Sequence, residues 1–448
     1  MKVDLVVKNG WLVTPEATLK AGVAISGGKI VAIARDEELP EGKEVIDVKG
    51  NYILPGLIDG HVHFRDPGLT YKEDFETGSM AAACGGITCV IDMPNTKPIC
   101  GDVASFKEKK EIAESKSWVD FGVIGVIIEE NMAQILPMAE AGVVGFKIFM
   151  GETVGAIPAP DDGAILDALG YVAKARRRVG VHAENNQIMQ YLIKKLKAEG
   201  RTDPLAHVET RPNIAEAESI SKIILFAEAA GARVHIYHMS SKEGVDLVKA
   251  GKERGVDVTA ETGPHYLLLE DKDMLKLKSI LKMNPPVRSK DNAERLWWGL
   301  LNGFVDCIAT DHSPHTVEEK TNDNIWNAIP GFTGVETSVP LMLTQVNAGR
   351  LTLNQYVKLA SENPAKVWDM YPQKGSLRIG SDGDLTIVDM KKDSVLKSEN
   401  LHSRTKVTPF DGWKVKGMPI YTIVRGNVVM KDGKLVGTHS GKIVIPVK

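Results

Sequence analysis

The sequence predicts an α/β fold: a (β/α)8 barrel (a TIM barrel) carrying a small β-sandwich built from both ends of the chain. Three observations lead there. Eight apolar, strand-like runs recur through the middle of the chain and each closes in polar residues. Helical patterns fill the intervals between them. Both ends read instead as short strands broken by glycine turns.

At the amino-terminal end, LVVKNGWLV and AGVAISGGKIVAIA are β-branched runs interrupted by Asn-Gly and Gly-Gly. At the other end, DGDLTIVDM and YTIVRGNVVMKDGKLVG repeat the strand, turn, strand rhythm. We therefore expect residues 1–53 and 378–448 to form one composite β-sandwich and residues 54–377 to form the barrel. The eight central runs, in order, are ILPGLIDGHVH, ITCVIDMPN, DFGVIGVI, VVGFKIFM, VGVHAEN, RVHIYHMSS, VDVTAETGPHY and VDCIATDHSPH. Nearly unbroken apolar content suits parallel strands covered on both faces. DDGAILDALGYVAKARRR supplies a helix between the fourth and fifth. In such barrels the chemistry sits at the carboxyl ends of the strands, which is where the His, Lys, Asp and Asn residues fall.

Composition narrows the class. Of 448 residues, 43% are hydrophobic and 25% charged, and the net charge is −3 without a long block of either sign. That balance argues against nucleic acid or an anionic membrane as a partner. No apolar run approaches the ~20 residues that span a bilayer, and MKVDLVVKNGWLV lacks the features of a secretory leader. Cys84, Cys89, Cys100 and Cys307 form no CxxC pair and read as buried thiols in a reducing compartment. A cytoplasmic protein acting on a small molecule is the expectation.

The chemistry-bearing residues begin with His61 and His63. Residues i and i+2 of a strand face the same side, so both imidazoles can reach one metal ion at the barrel mouth. His182, His238 and Asp311 end three further runs. Four imidazoles and a carboxylate make a nitrogen and oxygen donor set suited to zinc. Lys147 lies inside an apolar run, where burial lowers an amine's pKa. It is either a lysine paired with a carboxylate or a neutral amine that adds carbon dioxide and bridges two ions as a carbamate. Arg65, two residues beyond His63, is either a carboxylate clamp or an ion-pair partner of Asp66, Glu73 or Asp74. Asn95 and His315 stand at two more strand ends; an Asx-type turn and a plain loop histidine are their structural alternatives.

In the order HxH, Lys, His, His, Asp, the sequence resembles the cyclic-amidohydrolase branch of the amidohydrolase superfamily: dihydroorotases, allantoinases, hydantoinases and dihydropyrimidinases. The resemblance extends over nearly the whole chain. It implies two divalent ions, zinc by default, held by His61, His63, His182, His238, a carboxylated Lys147 and Asp311, with Asp311 also moving the proton. All six positions are filled, which argues against a non-catalytic relative of the scaffold type. Arg65, Asn95 and His315 match the dihydroorotase pattern, in which they hold the substrate carboxylate. Asn284 in KMNPPVR falls where the family contacts the substrate ring, and Thr153 in FKIFMGET where a loop covers it. Glu152 stands where dihydropyrimidinases place a substrate-contacting Tyr. The resemblance thus implies a dihydroorotase that interconverts dihydroorotate and N-carbamoyl-aspartate in pyrimidine biosynthesis, as a homodimer or homotetramer. Lys147 and the stretch from ETSVPLML to KVTPFDGWKVKGMPIYTIVRG are equally similar to allantoinase and hydantoinase, the alternative reading.

Overall fold

The computed structural model describes residues 2–152, 154–155 and 157–447. Among them, eight parallel strands follow one another in sequence order around a barrel. They are β1 (Leu57–Val62), β2 (Ile87–Asp92), β3 (Asp120–Val126), β4 (Gly145–Phe149), β5 (Arg178–His182), β6 (Arg233–Ile236), β7 (Val258–Thr262) and β8 (Cys307–Ile308). The ring closes where Val62 bridges His312 in parallel and the His63 N–H donates to the His312 carbonyl at 2.8 Å. Each strand grows from one of the eight apolar runs. Every residue of β1 to β5 is buried, as strands covered on both faces must be. The helix expected between β4 and β5 spans Asp162–Lys174, and the Asp161 side chain caps it by accepting from the Ala164 N–H at 2.8 Å.

Both termini build the second unit. One sheet orders the strands Lys29–Ala34, Gly22–Ser26, Val3–Lys8 and Gly42–Asp47. The other joins the two ends of the chain: Leu385–Val395 pairs antiparallel with Tyr52–Pro55, setting Ile387 opposite Ile53. Leu5, Val7, Ile25, Ile53, Ile387 and Ile423 fill the space between the sheets. Two C-terminal stretches depart from the expected 378–448 sandwich. Residues 402–407 lie on the barrel, where the Thr333 N–H donates to the Val407 carbonyl at 2.9 Å. The tail returns to β3, with Phe121 bridging Ile443 and Val444 packed beside Trp368 in the barrel core. Apolar side chains at Val444 and Trp368 cover an end of the barrel that strands alone leave open.

A buried ion network fastens the two units. Lys374 Nζ contacts Asp384 (2.6 Å), Asp382 (2.9 Å) and Asp120 of β3, and Arg425 also pairs with Asp120. Removing one partner of such a network strands charge in the interior, at about 3–5 kcal/mol. Lys374→Met should therefore lower stability by about that amount in denaturant titration, and a change below about 1 kcal/mol would mean the carboxylates find other partners.

Candidate active site

The strand ends converge as the sequence suggests. His61 Nε2 lies 3.0 Å from Lys147 Nζ and 3.3 Å from Asp311 Oδ1. His63 Nε2 lies 3.1 Å from the same oxygen. His182 Nδ1 and His238 Nε2 are 3.0 Å apart. Donor atoms of His61, His238 and Asp311 fall within 4.8 Å of one another, which joins the two halves of the cluster. All six side chains are buried.

Carboxylates behind the imidazoles decide which ring nitrogens face inward. His61 Nδ1 is 2.6 Å from Glu261 Oε1, and His182 Nε2 is 2.9 Å from Glu184 Oε2. The ionised Glu184 takes the His182 ring proton on its own side and leaves Nδ1 as a bare lone pair, whereas burial pushes Glu261 up to about 8 against the pull of Lys147. Burial would raise the Glu184 carboxyl, but Arg211 and His182 beside it bring it down to about 2. Burial also holds His61, His63 and His238 far below the usual imidazole range, so these rings are neutral. The 3.0 Å contact between the two neutral rings is satisfied when the His238 Nε2–H donates to the His182 Nδ1 lone pair, or when a cation accepts a lone pair from each. Tetrahedral ligand atoms at ~2.0–2.1 Å from zinc are about 3.3 Å apart, and the spacing seen here fits that donor set.

Lys147 lacks a carboxylate within 4.0 Å among the described residues. Its Nζ sits instead over the rings of Tyr237 (4.6 Å) and Phe149 (4.9 Å). Burial lowers its pKa, opposed by the more distant Asp311 and Glu261. The ion-pair alternative for this lysine is thus not realised, and a pKa lowered to about 8 gives the amine a sizeable neutral, nucleophilic fraction just above neutral pH.

Strain marks the same places. Arg65 (φ 63°), His238 (φ 39°) and Asp311 (φ 48°) occupy the left-handed region, at about 1–3 kcal/mol each. At His238 the reason is legible. Strand alternation puts its neighbour Tyr237 inside the barrel, so regular geometry would turn His238 away. The left-handed turn brings its ring back to meet His182. Tyr237 in turn stacks on Trp368, with centroids 5.9 Å apart, and lies 4.5 Å from the His61 ring. Gly180 of β5 makes room for it, since a Cβ there would overlap the Tyr237 ring. Gly180→Ala should cost about 1–3 kcal/mol by thermal denaturation and lower activity by displacing His61. An alanine variant of wild-type stability and rate would show that Tyr237 has slack.

The cluster opens onto a narrow cavity of about 30 Å³. Arg65, Asn95 and Asn284 share its wall with His63, Lys147, His182, His238 and Asp311. Arg65 is buried, its Nε lacks a partner, and no carboxylate among the described residues lies within 4.0 Å of it. Asp66 pairs with Lys116, Asp74 with Arg404 and Glu73 with Ser403, so the structural ion pair does not form. Burial lowers the guanidinium to about 10, which leaves it charged at neutral pH. Asn95 Nδ2 donates to the Val154 carbonyl at 3.1 Å and its buried Oδ1 has no partner. Asn284, in the amide orientation that satisfies both its atoms, donates to the Met283 carbonyl and accepts from Arg211, each at 3.1 Å. His315 sits behind Arg65 rather than on the wall, with Nε2 3.2 Å from Arg65 Nη2 and Nδ1 3.1 Å from Lys72 Nζ. Thr153 lies outside the described residues.

Sequence reasoning overlooked Asp59, Glu184, Arg211 and Glu261. Asp59 accepts from the Thr310 hydroxyl (2.5 Å) and backbone N–H (3.0 Å), tying β1 to the end of β8 beside Asp311. The available signal was an acid inside an apolar strand run, a placement that burial penalises unless a partner waits.

Residues 52–429 match the model of the amidohydrolase family. The chain belongs to that family. Among its relatives, an L-hydantoinase of Paenarthrobacter aurescens is 39% identical over 97% of this chain and 96% of its own length. An allantoinase of Deinococcus radiodurans is 35% identical over 100% and 99%. A dihydroorotase of Methanothermobacter thermautotrophicus is 38% identical over 93% of each. The solved structure of an L-hydantoinase from Arthrobacter aurescens superposes with a TM-score of 0.97 at 38% identity, covering 99% of this chain and 100% of that one. This amidohydrolase is therefore a hydrolase of cyclic amides with a barrel fold. No helix among its described residues is long and apolar enough to cross a membrane.

Proposed function

We propose that this amidohydrolase opens a ring amide whose substrate carries a carboxylate, with dihydroorotate as the substrate and N-carbamoyl-aspartate as the product. The observation that carries this reading is Arg65: a buried, charged guanidinium without a carboxylate partner, on the wall shared with the six convergent groups. A desolvated cation of this kind is best satisfied by a bidentate carboxylate. His315 orients the guanidinium, its Nε2 toward Arg65 and its Nδ1 3.4 Å from the Glu319 carboxylate, and Asn95 offers an unpaired amide oxygen to a ring N–H.

His61, His63, His182, His238, Asp311 and a carboxylated Lys147 would hold two divalent ions. Such a pair supplies a water of lowered pKa and a polarised amide carbonyl. Asp311 takes the proton of the attacking water and returns it to the departing ring nitrogen. Glu184 holds the His182 tautomer throughout, and Glu261 fixes the orientation of the His61 ring. We read the enzyme as a cytoplasmic homodimer or homotetramer that uses zinc.

A second reading, hydantoinase or allantoinase, is favoured by the names of several similar relatives. Ultraviolet or chromatographic assay of the purified protein against dihydroorotate, allantoin and hydantoin separates the two. We expect dihydroorotate to give the highest kcat/KM, with all turnover lost after chelation and restored by added Zn2+. Faster turnover of an uncharged ureide would reject the carboxylate reading and leave cyclic-amide hydrolysis standing.

A further inference from the structure

We propose that Cys84 and His402 form a separate binding site for a thiophilic divalent cation of the zinc class on the outside of the barrel, with Glu336 as its orienting residue. Three segments meet there. Cys84 ends the helix Phe75–Cys84, Glu336 precedes the helix Ser338–Asn347, and His402 follows the turn Ser398–Asn400. Ligand-type atoms of the three lie within 4.8 Å of one another. Cys84 Sγ is 3.6 Å from His402 Nε2. Zinc bonded tetrahedrally to a thiolate at ~2.3 Å and an imidazole at ~2.0–2.1 Å holds those two atoms about 3.5–3.6 Å apart.

The imidazole is already set for that role. His402 Nδ1 lies 2.9 Å from Glu336 Oε1, and Glu336 Oε2 accepts the His402 backbone N–H at 2.8 Å. With its proton held on Nδ1, the ring turns the Nε2 lone pair toward the thiol, in the carboxylate, imidazole, metal arrangement. The Gly433 carbonyl, 3.9 Å from Sγ, lies alongside. His402 and Glu336 keep 31% and 16% of their side chains exposed, so an ion can enter from solvent. Among the described residues, none of the other three cysteines joins a comparable cluster. On binding, the S–H bond breaks, a sulfur–metal bond forms and one proton leaves to solvent, so affinity rises with pH.

The position gives the site a route to the catalytic end. Beside His402, the Ser403 hydroxyl and the Arg404 backbone N–H (3.1 Å) donate to Glu73. Glu73 in turn lies 3.4 Å from Nε2 of His312, the neighbour of Asp311. An ion clasping His402 to the barrel helix would stabilise this strap.

Cadmium is a suitable probe, because thiolate-to-cadmium charge transfer absorbs in the ultraviolet and none of the six catalytic-cluster residues is a cysteine. Titrating Cd2+ into the full-length holoenzyme should produce this absorption, saturating at one equivalent and displaced by excess Zn2+. Cys84→Ser should abolish it, and Glu336→Gln should weaken binding by about 10- to 100-fold. His402→Gln, at a partly exposed position, should weaken binding at least as much and carries the test even if the cysteine variant folds poorly. The proposal is overturned if the wild-type protein shows no such absorption, if Cys84→Ser retains it, or if His402→Gln binds Cd2+ as tightly as wild type. The readout is independent of which ring the enzyme opens.

Discussion

Arg65→Ala should lower kcat/KM for dihydroorotate by about 10²- to 10³-fold while leaving turnover of uncharged hydantoin nearly unchanged. Truncating one side of a buried charge pair costs about 3–4 kcal/mol, since the substrate carboxylate then enters the cavity unpaired, and each 1.36 kcal/mol is about tenfold in rate. Arg65→Lys should recover only part of the loss, because an ammonium cannot form the bidentate fork. Steady-state kinetics on both substrates check this. Equal loss on both would make Arg65 a structural support, and dihydroorotate turnover that survives the change would sink the clamp.

Asp311→Asn should reduce kcat by about 10²- to 10⁴-fold with little change in KM, the range expected when a positioned proton carrier is removed. Asn preserves the shape and can still accept the 3.1 Å hydrogen bond from the Ser313 hydroxyl, so folding should be retained by circular dichroism. What it cannot do is take a proton from water and pass it on. Activity within about tenfold of wild type would move the proton transfer to another group. Metal analysis belongs beside the kinetics, because a variant emptied of metal would lose activity for a different reason.

The barrel strands were legible because each is an apolar run bounded by polar residues, and the metal-type residues because strand ends are where those runs stop. The two-residue repeat of a strand puts His61 and His63 on one side, and their place after LPGLIDG at a strand end singles them out. The partners were less legible. Glu261 matters through the imidazole it faces, and 200 positions of sequence separate it from His61. Glu184 lies two residues from His182, within one strand repeat, and was overlooked although its signal was local. His315 was expected against the substrate but stands behind Arg65: the loop after β8 places Asp311 and Ser313 on the cavity wall and turns His315 away from it. The C-terminal tail reads as more sandwich strand, and only its pairing with β3 draws it to the barrel.

Strand periodicity, apolar patterning and residue type are local properties, and they were enough to specify the barrel and the pairing of the termini and to nominate groups that could hold metal, which the family resemblance joined into one set. Three-dimensional packing decided the rest: which nitrogen of each imidazole faces inward, the left-handed turns that aim His238, Asp311 and Arg65, and the absence of a carboxylate within reach of Arg65 among the described residues. Those features depend on what surrounds a side chain after burial, because proton positions and charge pairing respond to neighbours in space and not to neighbours along the chain.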